Sequence, residues 1–179
     1  IEALHRCDIK AIADVVFNQK MGADETEDVI ACEVYMNDRN VISGEPYNIL
    51  AWTKFNFNNR NNKYSDFKWN WTHFHGVDWD DRGKKSAIFK FYGKNWDNDV
   101  DKENGNFDYL MGADVDLNNV DVVEELNNWG KWYLKFCDLD GFRLDAIKHM
   151  RESFFKNWVD NMQNSSDKDL FFVGEYWNN

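Results

Sequence analysis

Three short apolar segments, set apart by helix-length stretches or more, constrain this chain most. Residues 10–18 (KAIADVVFN), 141–146 (GFRLDA) and 170–177 (LFFVGEYW) are rich in β-branched and aromatic residues. Such runs predict strands buried on both faces, as in a parallel sheet. Before the second, Val122, Leu126, Trp129, Tyr133 and Phe136 recur at helical spacing. Asn119 or Asp121 can cap that helix with a short side-chain oxygen. Residues 150–164 place Met150, Phe154, Trp158 and Met162 on one helical stripe, and residues 165–168 read as a turn. Residues 1–7 read as a helix end. Strands alternating with helices predict parallel βαβ units with right-handed connections.

Residues 21–113 break the pattern. They carry short apolar stretches, such as 28–34 and 87–91, separated by Asn, Asp and Gly, and a solvated turn at 56–63 (NFNNRNNK). A structureless loop of that length is implausible in a compact domain, so the stretch is predicted to be a β-rich insertion.

Thirty-two acidic residues against 21 basic ones give a formal net charge of -11 and a pI of about 4.7. A chain this acidic repels phosphate backbones and attracts cations, which argues against a nucleic-acid partner. No apolar run is long enough to span a bilayer, and no leader pattern opens the chain at Ile1. Aromatics make up 17% of the residues. They fill cores and also stack on the apolar face of sugar rings. Cys7, Cys32 and Cys137 are far apart and odd in number. That argues against a disulfide framework or a thiolate metal site and predicts buried free thiols. Localisation stays open between cytoplasmic and secreted.

Asp145 and Glu175 fall near the C-terminal ends of successive strands, the end where parallel barrels build active sites. Neighbouring strands lie about 4.8 Å apart. Two carboxyls there can converge at the roughly 5–5.5 Å that a retaining glycosidase needs. Arg143 shares a strand face with Asp145, and a guanidinium keeps a nucleophilic carboxylate ionised. Glu175 alternates with Phe171, Val173 and Trp177, surroundings expected to raise its pKa as a proton donor requires. A purely structural Arg143–Asp145 ion pair fits the spacing equally well. Lys148 and His149 follow on a loop suited to substrate contacts, or to a solvated Lys and a capping His. Asp14 and Asn18 share one face of the first strand, where Arg143 can serve Asp14 and Asn18 can ligate a metal. Asp97, Asn104, Asp108, Asp114 and Asp116 offer oxygens to a hard cation such as calcium, without matching the EF-hand loop. A solvated acidic loop is the alternative.

Together, ADVVFN (13–18), GFRLDAIKH (141–149) and FFVGEYW (171–177) resemble three ordered signature regions of the α-amylase family. YSDFKWNW (64–71), ENGNFDYLMGADVD (103–116) and WGKWYL (129–134) resemble its bacterial liquefying branch. The resemblance implies an α/β fold, part of a (β/α)₈ TIM barrel from about the third to the fifth strand. Residues 1–20 and 114–179 would be barrel, and 21–113 an inserted, calcium-binding β-rich domain after the third strand. It implies endo-hydrolysis of α-1,4-glucosidic links in starch or malto-oligosaccharides with retention, by a monomer when complete. Asp145 would be the nucleophile and Glu175 the acid/base. Arg143 would orient Asp145, and Lys148 and His149 would contact the sugar. Asn18, Asp108, Asp114 and the His149 carbonyl would hold calcium, with Asp97 and Asp116 in a neighbouring metal cluster.

The sequence departs from that pattern. Gln19 stands where the family usually has a sugar-gripping His; it can hydrogen bond but carries no charge. His75 and Asn118 stand where the branch often has metal-binding acids, so weak or absent extra metals are expected. The third catalytic Asp is expected beyond Asn179 and the first barrel strands before Ile1. The 179 residues alone are therefore predicted to be unstable and inactive. A glucan transglycosylase and a weakened glucan-binding relative are the alternative readings.

Overall fold

The structure is a computed structural model that describes residues 1–177. A short helix α1 (Glu2–His5) leads into β1 (Ile12–Val15). Seven strands follow: β2 (Gln19–Lys20), β3 (Glu25–Tyr35), β4 (Asp38–Ile42), β5 (Tyr47–Lys54), β6 (Phe74–Asp80), β7 (Lys85–Phe91) and β8 (Ala113–Val115). Then come α2 (Val120–Cys137), β9 (Gly141–Leu144), α3 (Glu152–Gln163) and β10 (Phe171–Gly174).

The strands form two sheets. β1, β9 and β10 lie parallel in that spatial order, with Asp14 and Val173 both opposite Arg143. The other seven form an antiparallel sheet in the order β2-β8-β6-β7-β3-β4, with β5 also paired to β3. The expected apolar stretches 28–34 and 87–91 fall within β3 and β7. β2 pairs with β8 at Gln19↔Asp114, so the strands that open and close this sheet along the chain lie side by side.

The parallel strands are shorter than their apolar runs and are not buried on both faces. Ala13 and Val15 face the core, while Ile12 is 45% exposed and Val173 42%. The covered face packs on α2 and α3 through Phe142, Trp158, Met162 and Val122. Phe17 sits edge-on to Trp129, Phe154 and Trp158, with ring centroids 4.9–5.7 Å away. Gly130 lets the helices approach, since a Cβ there would meet Trp158 at 2.7 Å. Gly141 lies against β10, where a Cβ would strike the Phe171 carbonyl.

Asn119 caps α2 as expected, its side chain accepting the Asp121 N–H at 3.0 Å. The three cysteines are free, but Cys7 is exposed and Cys137 half-buried; Cys32 alone is buried. Cys7 follows a one-turn helix that buries none of its residues. No described helix is long and apolar enough to cross a membrane.

Candidate active site

Backbone hydrogen bonds continue the parallel ladder just past its strands. The Asp145 N–H donates to Val15 O at 3.0 Å, and the Glu175 N–H to Leu144 O at 2.8 Å. Both carboxyls are thereby held at the C-terminal edge of the sheet. Arg143 reaches across all three strands. Its Nη1 donates to Asp14 Oδ1 at 2.6 Å and to Asp145 Oδ1 at 3.0 Å, while Nη2 lies 2.9 Å from Glu175 Oε2. The sequence expectation that Arg143 serves both Asp14 and Asp145 is met, with Glu175 added. A cavity of about 440 Å³ opens over Asp145 and Glu175, walled by Phe107, Lys148, His149 and Trp177.

The electrostatic expectation for the two acids is reversed. Burial and a hydrogen bond with Glu175 raise the Asp145 carboxyl, outweighing Arg143. Glu175 is lowered, chiefly by the Trp177 indole, which donates to Oε1 at 2.6 Å, and further by Asp145 and Arg143. Alternation along a strand predicted apolar surroundings for Glu175. It lies past the end of β10, where the chain leaves the pleat and Phe171 and Val173 no longer surround it. Arg143, shared among three acids, does too little to keep Asp145 low.

Lys148 and His149 are not solvated. The Lys148 side chain is 5% exposed and pairs with Glu103. The His149 Nδ1 lies 2.7 Å from the Phe107 carbonyl, and burial lowers its pKa. Both hold the segment before β8 against the parallel sheet.

Behind this cleft, oxygens converge without enough protons to bind them. The Asn18 side-chain nitrogen sits 3.3 Å from Asp108 O, 3.4 Å from Asp114 Oδ1 and 3.2 Å from His149 O. Its Oδ1 is buried with no partner, as is Asp97 Oδ2. Turning the Asn18 amide over would bring four oxygens together, a donor set that suits calcium.

Next to it, His75 is enclosed by acids. Its Nδ1 lies 3.0 Å from Asp108 and 3.2 Å from Asp114, and Nε2 3.0 Å from Asp116. Burial alone would lower the His75 pKa, but those three hydrogen bonds carry it well above its ordinary value. Burial and the nearby Asp108 raise Asp114, and raise Asp97 to about 7. Asp116 is buried too, yet His75 and Lys94 hold it below the usual range. Asn118 bridges Asp97 and Arg151. Gln19 begins β2, and its Oε1 is buried without a partner.

No protein-family model matches the chain. It is 53% identical, over 180 residues, to an alpha-amylase of Bacillus licheniformis, covering all of this chain and 35% of that protein. It is 54% identical over 179 residues to an alpha-amylase of Geobacillus stearothermophilus, covering 99% of this chain and 33% of that one. The chain belongs to the α-amylase family. It spans about a third of the length of the curated relatives it matches. The fold agrees: an alpha-amylase from Geobacillus thermoleovorans, solved in complex with acarbose, superposes with a TM-score of 0.53 at 21% identity. That match covers 99% of this chain and 28% of the other.

Within this α-amylase segment, several contacts had escaped the sequence reading. Glu103 on Lys148, Lys94 on Asp116 and Trp177 on Glu175 join residues that are far apart or lie beyond regular elements. Only Trp177, two residues from Glu175, carried a local signal.

Proposed function

We propose that the protein carrying this segment is an α-amylase-type glycoside hydrolase that cleaves internal α-1,4-glucosidic links with retention of configuration. The observation that carries the reading is the Arg143 contact to Asp14, Asp145 and Glu175 at the ends of three adjacent parallel strands. The names of the alpha-amylase relatives and the acarbose complex of a structural neighbour support a glucan substrate.

In this reading Asp145 attacks the anomeric carbon, and Glu175 protonates the departing oxygen, then takes a proton from the incoming water. Arg143 orients Asp145 and favours its ionised form. A sugar seated in the cleft strips water from Glu175 and raises its carboxyl toward the protonated form the first step needs. Lys148 and His149 wall the cleft, and Gln19 and Asp14 are assigned to further sugar contacts. Asn18, Asp108, Asp114 and the His149 carbonyl would hold calcium, which ties the inserted, antiparallel domain to the barrel. Asp97 and Asp116 belong to the cluster beside it, where His75 supplies positive charge.

The test uses the full-length protein with calcium and a long malto-oligosaccharide, following the released anomer by NMR beside Glu175→Gln. Initial α-anomer that is lost in the variant is expected. A folded, glucan-binding protein that releases nothing would refute hydrolysis.

A further inference from the structure

A groove distant in composition from the catalytic cleft runs between the segment after β5 and helix α2. One cavity of about 270 Å³ lies under Lys20, Phe57, Arg60, Trp69, Glu125 and Trp129. A second, of about 200 Å³, adjoins it at Arg60, Glu125 and Trp129 and extends to Tyr64 and Trp132. Neither shares a lining residue with the cleft over Asp145 and Glu175.

Its polar groups are poorly satisfied. The Lys20 Nζ rests 4.2 Å from the Trp69 ring centroid, with no carboxylate within salt-bridge distance among the described residues. The Arg60 guanidinium lies over Phe57 and donates from Nη2 to Phe67 O at 3.0 Å, but its Nε is buried without a partner. Glu125 lines both cavities and accepts from Ser65 Oγ at 2.9 Å through Oε2, while its Oε1 has no hydrogen bond among the described residues. Buried donors left unmade are costly, so a ligand that supplies acceptors is favoured here. A simple anion would meet Glu125. A polyhydroxylated ring satisfies both signs, accepting from Lys20 and Arg60 and donating to Glu125. Its apolar face has aromatic walls to lie on, and Tyr64, 53% exposed, extends them with its ring 5.3 Å from that of Trp132.

We infer that this groove is a second, non-catalytic sugar site that binds an α-1,4-glucan apart from the cleavage point. The glucan specificity rests on the proposed function. The test uses the full-length, calcium-loaded protein with Glu175→Gln to stop turnover, titrated with maltotriose by calorimetry and saturation-transfer NMR. Two classes of site are expected. Arg60→Met with Glu125→Gln should weaken one class about tenfold, the loss expected for one charge-assisted hydrogen bond, and leave the other unchanged. Tyr64→Ala, at an exposed position, should weaken the same class if the double variant fails to fold. With Glu175 intact, both variants should keep turnover of a short chromogenic maltoside but bind less to granular starch. A single class in the parent, or two classes indifferent to all three substitutions, would overturn the inference. So would tight binding of inorganic phosphate in the groove without maltotriose. A parent that fails to hydrolyse starch yet shows the Arg60-dependent class would remove the catalytic reading and leave the groove assigned.

Discussion

Trp177 donates its indole N–H to Glu175 Oε1 at 2.6 Å, and this contact is the main reason the glutamate is held below its ordinary pKa. Trp177→Phe keeps a ring beside the cleft and removes the donor. The Glu175 carboxyl should then rise toward its ordinary value. Since Glu175 must be protonated for the first step, the alkaline limb of the kcat/KM profile should move to higher pH. A limb that stays put or moves down would dissociate Trp177 from the acid.

Among the described residues, Arg143 is the one cation that touches Asp14, Asp145 and Glu175 together. Lysine is a point charge and cannot bridge three carboxyls. In Arg143→Lys the nucleophile should lose orientation and some of its charge stabilisation, lowering kcat by about 10²–10³-fold. Asp145 must be ionised to attack and is already raised by burial. The acid limb should therefore also move to higher pH. Calcium affinity should not change, and a parallel loss of calcium would point instead to a general disturbance of the fold.

The order of strands and helices was legible because each carries its own period. The stripe Phe154, Trp158, Met162 and the Asn119 cap are local signals, and the structure contains both. Arg143 beside Asp145 was equally local, two residues apart on one strand. What could not be read was the state of Glu175. Strand alternation stops at Gly174, and the surroundings of the next residue depend on Arg143 and Trp177 rather than on Phe171 and Val173. The enclosure of His75 by Asp108, Asp114 and Asp116 was hidden for a different reason. It requires β6 and β8 to pair, a long-range register that no short window of sequence encodes. The exposed face of β1 and the exposure of β10 likewise follow from what packs on the sheet, not from the composition of either strand.

The unpaired Asn18 Oδ1, facing the Asp108, Asp114 and His149 oxygens once the amide is turned, gives calcium a testable anchor. At a hundredfold excess over its dissociation constant, a bound ion stabilises the folded state by about 2.7 kcal/mol. Chelation should lower the Tm of the full-length protein, and Asn18→Ala should shrink the difference between calcium-loaded and chelated samples. Identical differences in the two proteins would remove Asn18 from the ligand set.

His75 provides the positive charge between Asp108, Asp114 and Asp116, with its side chain only 2% exposed. Removing one partner of a buried charged cluster costs about 3–5 kcal/mol, because the remaining charges stay buried without compensation. His75→Ala should lose stability on that scale in urea unfolding at fixed, saturating calcium, and far more than a substitution at the exposed Lys131, Lys131→Ala. A loss below about 1 kcal/mol, the range of surface pairs, would mean that the acids are neutralised in another way.

Asp140 joins three separate parts of the chain, and its role has a defined pH signature. Its Oδ2 accepts the Ala11 N–H at 2.8 Å and lies 2.7 Å from His5 Nε2, while Oδ1 accepts from Lys168 Nζ at 3.1 Å. The backbone bond from Ala11, then Lys168 and His5, depresses the carboxyl well below its ordinary value. A depressed carboxyl contributes stability that is fully present above its unfolded pKa of about 3.9 and fades as pH falls through the folded value. Asp140→Asn keeps the shape and loses the charge. It should cost about 1.5–3 kcal/mol near pH 7, the range for hydrogen bonds to a charged group. The gap between the two proteins should close as the pH drops below about 4. Urea unfolding of both at a series of pH values checks this. No gap, or one that stays constant down to the acid transition, would show that the charge of Asp140 is not what stabilises this junction.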